Sequence, residues 1–343
     1  MKLRCFVAAA LLMCSVVASG CVPAAADTVA VEREYSVAAS QSVETSTAAK
    51  PKNINITKTR KLTDDMVVEQ GQTLYVRNGG VLYIDTGATL TLCGKLKVAE
   101  GGSVYVRGEL DMQEGSLFSC TGKTKILSSG RIKLGGELWV NPAGVIKGAG
   151  CISVLNEFDD IRCKGTVTAK IDAPEPVEMD GVTYVGGVLL VNKEFSLPKD
   201  YGDGLDSEAY TAFVRMKRAS GYDMRIVSGF RSYSKQESTF SYWCSVDGEA
   251  VAETYSARPG HSEHQTGLAM DITSLKQSYG KTAEGKWLAQ NCVDYGFIIR
   301  YPKGKTDITG YMYEPWHIRY LGISTAKLVS DSGLTLEEFL GVA

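Results

Sequence analysis

The stretch "QTLYVRNGGVLYIDTGATLTLCGKLKVAEGGSVYVRGELDMQEGSLFSCTG", residues 72–122, alternates apolar and polar side chains in very short runs. Glycines punctuate it and its flanks at positions 71, 79, 87, 94, 101, 108, 115, 122 and 130, in steps of seven or eight. Alternation is the signature of half-buried strands, because successive side chains on a strand point to opposite faces. Evenly spaced glycines mark the corners between strands. A short fixed repeat whose units cannot bury a face alone argues for stacking, so residues 62–169 read as an all-β solenoid, a right-handed β-helix or similar. A β-sandwich of regular hairpins is the competing reading, and the shortness of the strands and evenness of the period disfavour it. The region contains no histidine and its acidic residues are scattered, so no catalytic constellation stands out there.

The rest of the chain reads outward from this block. The 343 residues are 44% hydrophobic and 22% charged, a globular composition with room for two domains and a tail. A net charge of −2 gives no whole-chain signal for nucleic acid or an anionic membrane. Residues 1–26 have Lys2 and Arg4, an apolar run and then small residues, the pattern of a secretory signal peptide. Two processing sites fit. "ASGC" at 18–21 resembles a lipobox, which would place a lipid on Cys21, the chain's sole expected membrane attachment. "AAA" at 24–26 suits ordinary cleavage. Residues 27–61 lack any period and read as a flexible tether. The chain is therefore expected to be exported, at the cell surface or secreted. Six of its nine cysteines lie beyond the leader, an even number that suggests disulfides in an exported chain, with Cys244–Cys292 a plausible pair.

Residues 170–181, "KIDAPEPVEMDG", form a Pro- and acid-rich linker, and 182–343 mix strand and helix patterns without βαβ regularity. That mixture predicts an α+β domain. Strands are expected in "DMRIVSGFRS", "TGLAMDI", "FIIRYP" and "WHIRYLG". Helices are expected at 207–222, across "SKQESTFSYWCSVDGEAVAETYSA", in "AEGKWLAQNCVDYG" and in "TLEEFLG".

All three histidines of the chain fall in two short motifs, "HSEHQTGLAMD" at 261–271 and "EPWH" at 314–317. Two histidines and a carboxylate can hold a catalytic zinc and leave a position open for water. Spacing alone does not choose between His261 and His264. Glu314 is a candidate base beside His317, provided Pro315 bends the chain, since residues three apart on a regular strand face opposite ways.

The two motifs resemble those of the VanY-type D-alanyl-D-alanine carboxypeptidases, zinc peptidases of the bacterial cell wall. Their pattern S-x-H-x-x-G-x-A-x-D followed by E-x-W-H is met by Ser262, His264, Gly267, Ala269, Asp271, Glu314, Trp316 and His317. "VLLVNKEFSLPKDY", "SGFRSYSKQ" and "YGFIIRYPKGKTDITGYMYEPWHIRYLG" extend the likeness over about residues 182–340. The resemblance implies a Hedgehog/D,D-peptidase-like domain with a central antiparallel sheet. It implies one zinc ion on His264, Asp271 and His317, with Glu314 as general base. Arg231 would hold substrate and stabilise negative charge, Gln236 and Ser262 would lie near the substrate's terminal carboxylate, and Tyr301 is a weaker lead for the same pocket. His261 would stand outside the metal shell. The implied substrate is the C-terminal D-Ala of peptidoglycan stem peptides. L,D-carboxypeptidase or endopeptidase action on the same peptides is the neighbouring alternative. A non-catalytic wall-binding or adhesive protein is the alternative of another class. A glycan or wall polymer is the candidate partner of the solenoid.

Overall fold

The computed structural model describes residues 51–343. The expected signal peptide, the Cys21 processing site and the first part of the tether lie outside the described residues. Among the described residues, no helix is long and apolar enough to cross a membrane.

The N-terminal part is a β-solenoid of three parallel six-stranded sheets, each contributing one strand to every turn. Thr73 lies under Lys95 and Lys95 under Leu117, so one turn takes about three of the seven-residue glycine steps. The alternation decides what goes inside. Leu74, Leu96, Phe118, Leu138 and Ile161 stack as one internal column, and Leu90, Leu110, Ile132 and Ile152 as another, all fully buried. The chain enters this fold earlier than residue 62: Ile54–Ile56 and Thr59–Leu62 already pair with the next turn. It also leaves later, because Lys170–Asp172 pairs with Cys151–Val154. The short tether-like and linker-like sequences at both ends are edge strands, whose single buried neighbour weakens their apolar pattern.

The corners need glycine for space. A Cβ on Gly108 would lie 2.2 Å from the carbonyl oxygen of Ala88 and 2.3 Å from that of Asp85. The turn below passes too close for any side chain.

The C-terminal part caps the end of this stack. The helices Ile323–Ser332 and Leu336–Leu340 carry Ala326, Leu328, Val329, Leu336 and Phe339 into the same continuous apolar core as the solenoid. The Phe158 and Phe339 rings meet at 5.1 Å, and the Cys163 amide donates to Ser324 Oγ at 3.3 Å. The final strand edges are thereby covered.

Beyond the cap lies a four-stranded antiparallel sheet, in the order Ile226–Ser228, Ala269–Ile272, His317–Tyr320, Phe297–Ile299, with helices packed around it. It is the α+β domain that the mixed strand and helix patterns predict, with the central antiparallel sheet that the family resemblance implies. The helix Ser207–Ser220 starts at the Asp206 cap and stops at left-handed Gly221. Its buried face is Ala209, Ala212, Phe213 and Met216, while Tyr210 and Val214 point outward. "VTYVGGVLL" is a hairpin, Val182–Val185 with Val188–Leu190, turned by two glycines at positive φ. The expected disulfides do not form: all six described cysteines are separate thiols. Cys120 and Cys163 are rungs of the solenoid core and Cys292 packs in the second core, where each acts as a small apolar side chain.

Gly108→Ala is expected to lower stability by about 1–3 kcal/mol, as overpacking does. Gly204, where nothing lies within 4 Å, is the control. Gly204→Ala should stay within about 0.5 kcal/mol of the parent. Denaturant melts of the two variants check this, and equal midpoints would contradict the close-contact argument.

Candidate metal centre

Sheet register builds the site. Asp271 and His317 sit directly opposite each other on the two central strands. His264 comes from the short helical turn Glu263–Thr266, which ends at left-handed Gly267 just before the Asp271 strand. The three donor groups are buried, and their ligand atoms lie within 4.8 Å of one another. His264 Nε2 is 3.2 Å from Asp271 Oδ2, and His317 Nδ1 is 3.2 Å from Asp271 Oδ1.

The far side of each imidazole fixes which nitrogen faces inward. His264 Nδ1 lies 2.8 Å from the Gly229 carbonyl oxygen, to which it donates, leaving Nε2 bare toward Asp271. His317 Nε2 faces Glu263 Oε2 at 3.5 Å, leaving Nδ1 toward the cluster. Asp271 Oδ1 is buried with no hydrogen-bond partner. A buried carboxylate oxygen is rarely left so, and with one imidazole nitrogen against each oxygen of Asp271 the set fits a cation with mixed N/O ligands. His261 stands elsewhere, with Nδ1 2.9 Å from the Asn192 carbonyl oxygen.

Glu314 is brought to the cluster by a turn. The His317 amide donates to the Glu314 carbonyl, so the chain bends through Pro315 and the strand begins only at His317. Its carboxylate lies 3.5 Å from His317 Nδ1. Burial pushes the Glu314 carboxyl up to about 8, with His317 pulling it down and Asp271 adding to the rise. A cation in the cluster would draw it back toward the ionised form. Burial also holds the His264 imidazole below its ordinary value. His317 goes the other way: Asp271 and Glu263 overcome burial and raise it to about 9.

The cluster forms one wall of a cleft of about 480 Å³, also lined by Arg231, Trp243, Tyr255, Leu275 and Met312. Arg231 Nη2 is 4.0 Å from Asp271 Oδ2 and donates to Ser228 Oγ at 2.6 Å. Ser262 and Tyr301 are buried on the cleft wall. The Tyr301 ring packs against the His317 ring at 4.9 Å and against Tyr311 at 4.6 Å. Burial pushes both phenols well above their ordinary range, so both stay neutral. Gln236 differs from the expectation of a substrate contact. It is fully buried behind Arg231, accepting from Arg231 Nη1 at 2.8 Å and donating to the Ala257 carbonyl at 2.6 Å. Its amide is consumed in orienting the guanidinium, so it reaches the cleft only through Arg231. Trp316 is buried and packs in the domain core between the two motif residues.

Sequence reasoning missed the support beneath His317. Glu263 Oε1 accepts from Arg300 Nε at 2.7 Å and from Arg319 Nη1 at 2.8 Å. Arg300 also donates to Glu337 at 2.9 Å, and Arg319 to the Leu189 carbonyl at 2.6 Å. All four charged groups are buried. Burial alone would raise the Glu263 carboxyl, but the two arginines hold it far below the usual carboxylate range. The signal was present in "FIIRYP" and "HIRYLG": a charge inside an apolar strand run has to be paired. Glu263→Ala leaves two buried guanidinium groups short of a partner and should lower stability by about 3–5 kcal/mol. Chemical denaturation of the metal-free chain measures this, and a loss below about 1 kcal/mol, the worth of an exposed pair, would contradict it.

Comparison with known proteins finds relatives of the C-terminal part. A family model described as VanY: D-alanyl-D-alanine carboxypeptidase matches residues 203–323. The chain is 43% identical over 180 residues to the putative carboxypeptidase YodJ of Bacillus subtilis, covering 44% of this chain and 66% of that protein, just under two thirds of its length. It is 36% identical over 173 residues to the bifunctional D-Ala-D-Ala dipeptidase and D-Ala-D-Ala carboxypeptidase VanXYC of Enterococcus gallinarum, covering 44% of this chain and 91% of that one. Among solved structures, the LdcB LD-carboxypeptidase is 40% identical with a TM-score of 0.45, covering 49% of this chain and 94% of that one. A mutant of the D,D-pentapeptidase VanY in complex with Zn(II) is 36% identical with a TM-score of 0.39, covering 44% and 97%. With the motif residues assembled and nearly the whole of VanXYC matched, the chain belongs to the VanY family of D-alanyl-D-alanine carboxypeptidases.

Proposed function

We propose that this chain is an exported zinc carboxypeptidase that removes the C-terminal D-alanine of peptidoglycan stem peptides. One observation carries the reading: His264, Asp271 and His317 converge on one point of a cleft where Glu314 also points. The names of the relatives, D-alanyl-D-alanine carboxypeptidases among them, supply the substrate.

His264 Nε2, Asp271 and His317 Nδ1 would hold the single zinc ion, which when bound supplies Lewis acidity to the scissile carbonyl at neutral pH. Glu314 takes the proton of the attacking water and delivers it to the departing amine of D-alanine. Its burial suits this traffic, because a base whose pKa is raised toward neutrality both accepts and returns a proton readily. Arg231, held by Gln236 and Ser228, presents a guanidinium to the negative charge that develops on the substrate or to its terminal carboxylate. Ser262 and Tyr301 line the same wall and help seat the peptide end. The intact donor set and base speak against a non-catalytic binding protein. LdcB, an LD-carboxypeptidase by name and 40% identical, makes trimming of tetrapeptides the second reading. The solenoid is the candidate module for holding wall polymer near the active site.

Removing a general base typically costs about 10²–10⁴-fold in rate. Glu314→Ala should therefore retain zinc and lose hydrolysis by about that factor, while His264→Ala should lose both. Zinc content and release of D-alanine from a soluble stem pentapeptide check the pair, and full activity of the Glu314 variant would refute the mechanism. Mass spectrometry of the products separates the two substrate readings. Loss of one alanine from pentapeptide is expected, and loss from tetrapeptide alone would assign the L,D activity instead.

A further inference from the structure

The three outer faces of the solenoid are chemically unlike. The face built from the strands Lys95–Val98 and Glu137–Val140 and their neighbours is mixed, with Trp139 donating to Glu137 and Arg162 beside it. The face built from Glu109–Met112 and Arg131–Leu134 is charge-balanced by register. Glu109 lies opposite Arg131 and Asp111 opposite Lys133, and Lys133 bridges Glu109 at 2.8 Å.

The remaining face is not balanced. One outward column runs Lys61, Tyr83, Tyr105, Lys125, Lys147 over successive turns. Beside it runs Thr59, Val81, Ser103, Lys123, Val145, Thr166. Four lysines and no carboxylate point outward here. Among the described residues, none of the four lysines has a carboxylate within salt-bridge distance, and all four are exposed. The acids nearest Lys61 in sequence, Asp64 and Asp65, lie past the end of its strand, where Asp64 accepts from Thr63 and Asp65 from the Thr89 amide, and Asp85 is engaged by Arg107. Lys125 and Lys147 stand directly opposite on neighbouring strands, about 4.8 Å apart at the backbone, a like-charge pairing that costs stability. The same solenoid avoids that cost one face away, so the stacked lysines ask for an external anion.

The tyrosines narrow its chemistry. Tyr83 and Tyr105 stack on each other at 4.8 Å with 13° between planes, and Lys61 and Arg107 lie 6.0 Å and 5.5 Å from the Tyr83 centroid. The Tyr83 ring is thus taken up by Tyr105 and two cations and is a poor platform for a nucleobase or a neutral sugar ring, while Tyr105 gives one face to the stack. What the column offers outward is ammonium groups and two phenol hydroxyls, donors suited to compact anionic oxygens. The catalytic domain covers the end of the solenoid and not this face.

We propose that this face docks a linear phosphodiester-linked polyol polymer, laid along the lysine–tyrosine column. The proposal goes beyond the peptidase reading, and it can fail without it. The test uses the full chain on a biosensor carrying poly(glycerol phosphate), with poly-γ-glutamate, single-stranded DNA and neutral β-1,4-linked N-acetylglucosamine oligomers on parallel channels. Preferential binding to poly(glycerol phosphate) is expected, weakening as salt rises because counterions are released on docking. The double variant Lys125→Glu, Lys147→Glu should lose about tenfold or more in affinity through two reversed contacts. Lys95→Glu with Lys97→Glu, on the neighbouring face, should change it little. Both variants should cleave soluble pentapeptide at the parental rate and melt normally, which separates this claim from the peptidase reading. Equal binding by the two double variants would overturn the proposal, as would no binding by the parent. Equal or tighter binding to polyglutamate, DNA or the neutral glycan would replace the phosphodiester assignment.

Discussion

The Glu263 carboxylate, buried between Arg300 and Arg319, is the constraint on which the catalytic domain depends. Buried charges are tolerable when each is paired and its remaining bonds are satisfied. Here the pairing spans distant segments. Arg319 lies on the central strand with His317 and reaches the hairpin through Leu189. Arg300 follows the edge strand and reaches Glu337 on the helix that caps the solenoid. Glu263 itself is next to His264 and faces His317. One carboxylate thus sets the sheet, the cap and the back of the donor cluster together.

Much of this was legible in the sequence, and the limits were physical. The solenoid showed through its period because every turn repeats the same burial pattern, and it faded at both ends where strands have one neighbour. The strands bearing Asp271 and His317 were readable as apolar runs. The helix Ile323–Ser332 was missed. It starts after a glycine with no side-chain cap, and its buried face includes Thr325 and Ala326, so its amphipathic signal is weak. Parity and export suggest disulfides, whereas the folded chain keeps its described cysteines apart and uses Cys120, Cys163 and Cys292 as core filling. Parity carries no information about which side of a strand a thiol occupies.

The site divides in the same way. Residue types and motif spacing named the donors, but the choice between His261 and His264 needed the family pattern, since both are polar neighbours of one short turn. Gln236 was readable as part of the site but not as the brace of Arg231, because its role depends on a helix folding back beneath a loop. The unpaired lysine face was invisible to net charge. A balance of −2 over the chain hides a column that exists only once the turns are stacked in register.

We propose that His264, Asp271 and His317, three residues from two motifs, hold one zinc ion. X-ray absorption at the zinc edge of the purified chain, with metal content measured alongside, tests it most directly. One zinc per chain is expected, with two imidazole nitrogens at about 2.0–2.1 Å and at least one oxygen at about 2.0–2.2 Å, all lost in His317→Ala. A sulfur ligand at about 2.3 Å, or zinc retained by that variant at full stoichiometry, would contradict it.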